Sequence, residues 1–308
     1  MTIDRRTWLA GALGGVAALA WPFHARAQSK TRLILLGTGG GPRPRRAPSA
    51  PSQVIVVNDV PYLIDCGDGV ARQLVAAGIP VSGLRHIFIT HQHSDHNADF
   101  GNLLLLSWGE LRSAVDVWGP PPLVRMTKAF LELNEFDITT RIADEGRAPL
   151  APLIKPHEIT TPGLVMRDDN VRVTAALVPH PPIAHAFAYR FDTADRSIVI
   201  SGDTARSDAL VKLAQGADVL VHEVLWVPAV DRIAAAFPNV KTLKKHIIDS
   251  HTSVEDAGRV AQAAGVRTLV LSHFVPAGDP AITDQMWLDA ARTHFRGTVI
   301  VGKDLMDI

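Results

Sequence analysis

Short apolar runs rich in β-branched residues alternate along the chain with stretches in which apolar residues recur at helical spacing. The apolar runs predict strands at 31–36, 53–57, 62–64, 85–90, 115–118, 171–178, 186–191, 197–200, 219–224 and 268–271. Helical spacing predicts helices at 69–77, 103–111, 123–133, 207–214, 254–264 and 284–294. The proline-rich stretch 145–162 indicates a loop or an edge segment. Because no linker or internal repeat interrupts this order, the pattern predicts one α/β domain of two sheets covered by helices, over residues 28–308.

The first 27 residues have the pattern of an export signal. Arg5 and Arg6 precede an apolar stretch at 9–21, and a small-residue site follows at Ala25 and Ala27. This is the charged region, apolar region and cleavage site of a twin-arginine-type signal peptide. The alternative is a membrane anchor, but a stretch of 13 residues is short against the roughly 20 that span a bilayer. We therefore expect cleavage after Ala27, a periplasmic location and no stable membrane anchor.

Composition narrows the classes of protein further. The 308 residues are 47% hydrophobic and carry 31 basic and 31 acidic side chains. Such a chain can bury a large core, which excludes disordered and fibrous proteins. The neutral balance gives no electrostatic reason to expect a nucleic acid partner. Cys66 is the single cysteine, which excludes an intrachain disulfide and suits a small core residue.

The highest concentration of possible metal ligands lies directly after the predicted strand 85–90, where the sequence is HQHSDH. His91 and His93 can project to one side as the chain leaves the strand, and Asp95 and His96 can face a second point nearby. Imidazole and carboxylate are ligands that suit zinc, iron or manganese. The alternative is a polar loop that is rich in histidine and has no function. Four residues of ligand type at this spacing favour a metal site instead.

Three further candidates follow later strands: His180 in VPH, Asp203 in SGDT and His273 in LSH. Each has an ordinary structural explanation when taken singly, since buried histidines are often only hydrogen-bonded and a Gly-Asp-Thr turn often caps a helix. Together with HQHSDH they indicate one site at a shared sheet edge. His185 is the competitor of His180, because it lies five residues later and before the next strand.

The successive motifs LGTGGGPRPRR, LIDCGDG, ITHQHSDH, SGDT, HEV and HTSVEDAGRVAQAAGVRTLVLSHF cover nearly all of the chain after residue 27. In this order they resemble the two-metal form of the metallo-β-lactamase superfamily, and within it the ribonuclease Z-like branch. The resemblance implies an αββα sandwich, with two mixed sheets flanked by helices and a dinuclear metal site at the sheet edge.

The resemblance also implies roles for residues of this chain. Two divalent metals, zinc or else iron or manganese, would be held by His91, His93 and His180 on one side and by Asp95, His96 and His273 on the other. Asp203 would bridge them, and a hydroxide between the metals would attack the substrate. The implied catalytic residues are Asp95, His251 and Glu223, with His251 near the leaving group and oriented by Glu223.

Other positions have more than one interpretation. Asp65 is expected to orient the site rather than to bind metal, and His222 fits a structural pair as well as a functional one. Trp108 and Phe136 could line an aryl pocket, although core packing is the usual role of an isolated aromatic side chain. The remaining histidines lack a motif and are interpreted as ordinary polar residues: His86, His157, His246 and His294.

The runs GTGGGP, YLIDCGDGVARQLV, FITHQHSDHNADFGNLLLLSW and VWGPPPLVRMT resemble exported arylsulfatases of this fold most. That resemblance predicts hydrolysis of a small anionic aryl sulfate ester. Nucleic acid is not expected, because the chain carries an export signal, only 23 residues separate His180 from Asp203, and the chain after the signal is slightly acidic. The alternatives are a phosphodiesterase, a lactonase or β-lactamase, and a periplasmic metal-binding module. The sequence leaves open whether the chain forms a homodimer.

Overall fold

The computed structural model describes residues 31–308, so the predicted signal peptide lies outside the described residues. The strands are β1 Thr31–Gly37, β2 Ser52–Val57, β3 Val60–Ile64, β4 His86–Phe88, β5 Val115–Gly119, β6 Ile154–Glu158, β7 Gly163–Arg167, β8 Arg172–Leu177, β9 Phe187–Asp192, β10 Ser197–Ile200, β11 Val219–Leu225, β12 Thr268–Val275, β13 Thr298–Val301 and β14 Met306–Asp307. The helices are α1 Val70–Ala76, α2 Ser94–Asn97, α3 Phe100–Ser107, α4 Leu123–Leu133, α5 Glu135–Glu145, α6 Asp208–Leu213, α7 Val230–Ala235, α8 Leu243–Ser250, α9 Val254–Ala264 and α10 Asp284–Arg292. Within residues 31–308, none of the helices has the length and apolar character needed to cross a membrane.

The strands form two mixed sheets of seven strands each. The first has the order β14-β1-β2-β3-β4-β5-β6, and the second has the order β13-β12-β11-β10-β9-β8-β7. In both sheets an antiparallel half joins a parallel half. The first sheet changes from antiparallel to parallel at β3, and the second changes at β10.

Three hydrophobic clusters separate four layers. Inward side chains of both sheets, such as Phe88, Tyr189 and Phe191, fill the space between the sheets. A second cluster lies under α1 and α3 on the outer face of the first sheet, and a third lies under α6, α9 and α10 on the outer face of the second sheet. This helix–sheet–sheet–helix order confirms the αββα sandwich that the sequence predicts.

The stretch 145–162 contains the edge strand β6, which is one of the two interpretations it allowed. The predicted strand 85–90 is shorter than expected, because only 86–88 are in the ladder. Beyond Phe88 the backbone N–H of Thr90 is bound by the carboxylate of Asp65 at 2.8 Å instead of by a neighbouring strand. Helices α2, α5, α7 and α8 have no counterpart among the predicted elements.

Candidate metal centre

One cluster of possible metal ligands consists of His91, His93, His180 and Asp203. Nδ1 of His93 lies 3.0 Å from Nε2 of His91 and 3.0 Å from Nε2 of His180. Nε2 of His91 lies 3.8 Å from Oδ2 of Asp203. The opposite nitrogen of His180, Nδ1, contacts the backbone oxygen of Ser250 at 2.9 Å. That contact fixes the ring so that Nε2 faces the cluster.

A second cluster consists of Asp95, His96, His273 and the same Asp203. Oδ1 of Asp203 lies 3.2 Å from Nε2 of His96 and 3.1 Å from Nε2 of His273. Oδ2 of Asp95 lies 3.4 Å from Nε2 of His273 and 3.7 Å from Nε2 of His96. Asp203 therefore presents one carboxylate oxygen to each cluster.

These separations fit bound divalent cations. Four donors placed tetrahedrally about 2.0–2.2 Å from a zinc ion lie roughly 3.3–3.6 Å from one another, close to the spacings in both clusters. Nε2 of His96 and Oδ1 of Asp203 are buried and have no hydrogen-bond partner within residues 31–308. A buried polar atom without a partner costs free energy, and a cation between these donors would satisfy both.

Burial and neighbouring imidazoles prepare two rings of the first cluster for binding a cation. Burial, reinforced by the nearby imidazole of His180, lowers the pKa of His93 to about 4. Burial, reinforced by His96, holds the pKa of His91 well below its usual value. Both rings are therefore neutral at pH 7, which is the form that binds metal. For Asp203, burial opposes ionisation, but the imidazoles of His273 and His96 outweigh it and hold the pKa of the carboxyl well below its usual range.

The fold delivers these residues from the ends of parallel strands. His91 follows β4, Asp203 follows β10, and His273 lies within β12. The pairing of β11 with β12 shifts register at His273, whose φ is +46°. A bulge of this kind re-aims a side chain, and here it turns His273 toward the site. Gly202 has a φ of +58°, and a Cβ there would lie 2.8 Å from the backbone oxygen of Phe187, so the turn before Asp203 requires glycine.

A glycine-rich loop between β1 and β2 closes over the second cluster. The backbone N–H of Gly41 donates to Oδ2 of Asp95 at 2.9 Å. A Cβ on Gly40 would lie 2.7 Å from the ring of His273, so the absence of a side chain lets the loop approach. Arg45 donates to the backbone oxygen of Gly40 at 2.9 Å and also to that of Gly41, which holds the loop in its turn.

His251 lies beside the shared carboxylate and is held by Glu223. Nδ1 of His251 is 3.1 Å from both carboxylate oxygens of Glu223 and 4.0 Å from Oδ2 of Asp203. Burial would lower the pKa of His251, but the carboxylate of Glu223 outweighs it and raises the pKa to about 9. Oε1 of Glu223 also accepts from the backbone N–H of Thr204 at 2.9 Å. Glu223 is thus bound by protein groups, which suits an orienting residue better than a metal ligand.

The structure separates the candidates that the sequence left open. His180 joins the first cluster, whereas His185 belongs to none of the possible metal clusters in the described part of the chain. His222 is fully buried, and its Nδ1 lies 2.7 Å from the backbone oxygen of Glu223, which supports the structural interpretation. Trp108 is 3% exposed and packs in the core beneath α3, while Phe136 is 84% exposed on α5. Neither lines the cleft. Core packing, the usual role of an isolated aromatic side chain, is confirmed for Trp108, whereas Phe136 lies on the surface.

The cleft above the metal centre has a volume of about 410 Å³. Its floor contains His93, Asp95, Asp203, His251 and His273, and one wall comes from residues 233–247.

His246 lies on this wall with its ring centroid 5.9 Å from those of His93 and His180. The structure therefore places His246 at the site, although it belongs to no motif of the sequence. Only its place four residues before Ser250 on α8 brings it to the site, and α8 was not predicted.

Comparison with known proteins places the chain in a family. A model of the beta-lactamase superfamily domain matches residues 61–274. The chain is 37% identical over 278 residues to a ribonuclease Z of Mycobacterium bovis, covering 89% of this chain and 96% of that protein. Among solved structures, the metallo-beta-lactamase fold protein YhfI from Bacillus subtilis superposes with a TM-score of 0.68 at 19% identity, covering 90% of this chain and 98% of that one. The short form of human tRNase Z superposes with a TM-score of 0.65 at 22% identity, again over 90% and 98% of the two chains.

These relatives correct two expectations. The prediction of an exported arylsulfatase is wrong, because the relatives that match over most of their length are named as ribonucleases. The expectation of a small anionic ester and no nucleic acid partner is wrong on the same finding. It rested on the predicted export signal, on the 23 residues between His180 and Asp203, and on the slightly acidic chain after the signal. A count of charged side chains omits bound cations, which would be the largest local positive charges at such a site. The chain belongs to the metallo-β-lactamase superfamily and, within it, to the ribonuclease Z-like branch.

Proposed function

We propose that the chain is a metal-dependent phosphodiesterase that hydrolyses RNA. The geometric observation that carries the proposal is the sharing of Asp203 between two clusters of metal-ligand donors at the floor of an open cleft. The 37% identity to ribonuclease Z over 89% of the chain supports RNA as the substrate class.

In this proposal His91, His93 and His180 hold one divalent cation, Asp95, His96 and His273 hold the other, and Asp203 binds both. When bound, the two cations supply positive charge that stabilises the transition state on the phosphoryl oxygens, and they make a nucleophile available at neutral pH. The identity of the cations is open between zinc, iron and manganese, since imidazole and carboxylate suit all three.

The protein's own groups orient the donors and handle the proton. Asp65 accepts from Nδ1 of His96 at 2.7 Å and from Oγ1 of Thr90 at 2.9 Å, which fixes the ring with Nε2 toward the second cluster. The carboxylate of Glu223 accepts a hydrogen bond from Nδ1 of His251. Nε2 is therefore the nitrogen that exchanges a proton with substrate. His251 then delivers a proton to the departing ribose oxygen, because an alkoxide is a poor leaving group unless it is protonated.

The test is cleavage of a labelled single-stranded RNA and of bis(4-nitrophenyl) phosphate by metal-loaded protein, with the RNA ends mapped. We expect hydrolysis of both substrates, its loss with a chelator and its return when metal is restored. A His93→Ala variant purified in the same way controls for contaminating nucleases. If the metal-loaded protein leaves the RNA intact, or if His93→Ala cleaves RNA equally well, the proposal is wrong.

A further inference from the structure

The cleft has a wall that the catalytic arrangement does not require. It is formed by residues 226–250, which connect β11 to His251 and contain α7 and α8. The wall has a small core of its own, in which the buried residues Leu225, Val230 and Ile247 pack against Ile233 and Leu243. The segment is therefore anchored to the sheet edge rather than loosely attached to it.

The face that this wall turns toward the metal centre is apolar. Ile233, Phe237, Val240 and Leu243 line the cleft, and Val240 is 49% exposed. Exposed apolar side chains gathered in a concave site are typical of a surface that binds a ligand. Beside a floor of histidines and carboxylates, this face offers contact to an apolar group that is covalently joined to an anionic one.

The glycine-rich loop at the rim of the cleft carries a guanidinium beside Phe237 of the wall. The guanidinium carbon of Arg43 lies 5.2 Å from the ring centroid of Phe237. Arg43 is exposed, and within residues 31–308 it forms no ion pair with a carboxylate. It projects from the glycine-rich loop, whose turn is fixed by Arg45 and by the bond from Gly41 to Asp95. A guanidinium placed this way can stack on a flat ring and attract a phosphate.

The dimensions fit one nucleoside. A cleft of about 410 Å³ falls at the lower end of the range of about 300–1,000 Å³ for small-ligand pockets. Proteins that read single-stranded RNA stack splayed bases on aromatic side chains and on the planes of arginines. A base in a duplex is already stacked on both faces, so only an unpaired base can enter the cleft and stack against the pair formed by Arg43 and Phe237.

We propose that Phe237, Val240 and Leu243, together with Arg43, form a subsite that binds the unpaired nucleobase adjacent to the scissile phosphodiester. This proposal rests on the proposed function, because it assigns the part of the RNA that occupies the cleft beside the metal centre. The wall selects a base-bearing, single-stranded segment, and the metal centre acts on the diester attached to it.

The test uses the mapped single-stranded RNA and two versions of it, each with an abasic ribose on one side of the scissile bond. We expect one of the two abasic substrates to be cleaved with a kcat/KM roughly tenfold or more below that of the intact RNA, as base–aromatic stacking predicts. Phe237→Ala should lower kcat/KM on the intact RNA to a similar extent, mainly through KM, so that the difference between intact and abasic substrates nearly disappears. Phe237→Trp should retain the preference for the base.

Phe136→Ala is the matched control, since Phe136 is an exposed aromatic residue on α5 and outside the cleft. It should behave as the unchanged protein on all three substrates. Equal cleavage of the intact RNA and both abasic RNAs would overturn the subsite while leaving the proposed function standing. An equal loss for Phe237→Ala on intact and abasic substrates would also overturn it, because that result indicates a general defect. Failure of the metal-loaded protein to cleave any RNA would overturn the proposed function and the subsite with it.

Discussion

The carboxylate of Asp65 lies 2.7 Å from Nδ1 of His96, and the same carboxylate binds the backbone N–H and the hydroxyl of Thr90. Asp65 has a φ of +58°, a conformation that few residues other than glycine adopt. Asp65 thus has an uncommon backbone conformation. Its carboxylate connects Thr90, at the end of β4, to His96 of the second cluster. Such a contact fixes both the tautomer and the orientation of a metal-binding histidine.

Asp65→Asn is expected to lower metal affinity or turnover by about 10- to 100-fold, because an amide can replace the shape of the carboxylate but not its charge. Metal content after dialysis and kcat on RNA measure the effect. Asp68→Asn is the matched control, since Asp68 is exposed and only three residues away. Equal metal content and turnover in Asp65→Asn and Asp68→Asn would contradict the orienting role.

His251→Ala is expected to lower turnover by about 10²- to 10⁴-fold while metal content stays close to that of the unchanged protein. Its Nδ1 is held by Glu223 at 3.1 Å and lies 4.0 Å from Asp203, so we expect its removal to take away a proton donor rather than a metal ligand. His294→Ala serves as the control. An unchanged kcat would remove His251 from the mechanism, and a parallel loss of metal would make it a ligand.

His180→Ala is expected to lose metal from the first cluster and nearly all turnover, whereas His185→Ala is expected to keep both. The reason is that Nε2 of His180 lies 3.0 Å from the donor nitrogen of His93, while His185 lies in neither cluster. Metal stoichiometry by elemental analysis separates the two. Loss of metal in His185→Ala alone would reverse the assignment.

Gly40→Ala is expected to lower metal affinity roughly 10- to 100-fold, since small displacements of site groups have effects of this size. The added Cβ would lie 2.7 Å from the ring of His273 and 2.8 Å from Val275, so either the loop or the ring has to move. Gly109→Ala provides the comparison, because its nearest neighbour, Arg147, is 3.5 Å away. A Gly40→Ala protein with normal metal content would show that the loop adapts without moving His273.

The sequence predicted that the candidate ligands meet, because they follow or lie in apolar runs and parallel strands bring such positions to one edge of a sheet. Their division into two sets that share Asp203 was implied only by the resemblance to the family. It could not predict the cleft wall. Helices α7 and α8 have only six and eight residues, and short helices owe their stability to tertiary packing, here against Leu225 and Val275. His246 and Phe237 were missed for that reason, since both depend on the wall for their place at the site.

The substrate class could not be predicted from the numbers of basic and acidic residues. A balance of 31 basic and 31 acidic residues says little about the field inside a cleft whose charge depends on bound cations. The export signal at residues 1–27 stays a prediction.

The central claim is that Asp203 joins two metal sites that together cleave a phosphodiester. The most direct measurement determines the metal content of the unchanged protein and of Asp203→Ala in parallel with their rates on single-stranded RNA. We predict two divalent cations per chain and chelator-sensitive cleavage for the unchanged protein. For Asp203→Ala we predict reduced metal content and no detectable cleavage, with the circular dichroism spectrum retained. Cleavage of RNA by Asp203→Ala at a rate near that of the unchanged protein would contradict the claim.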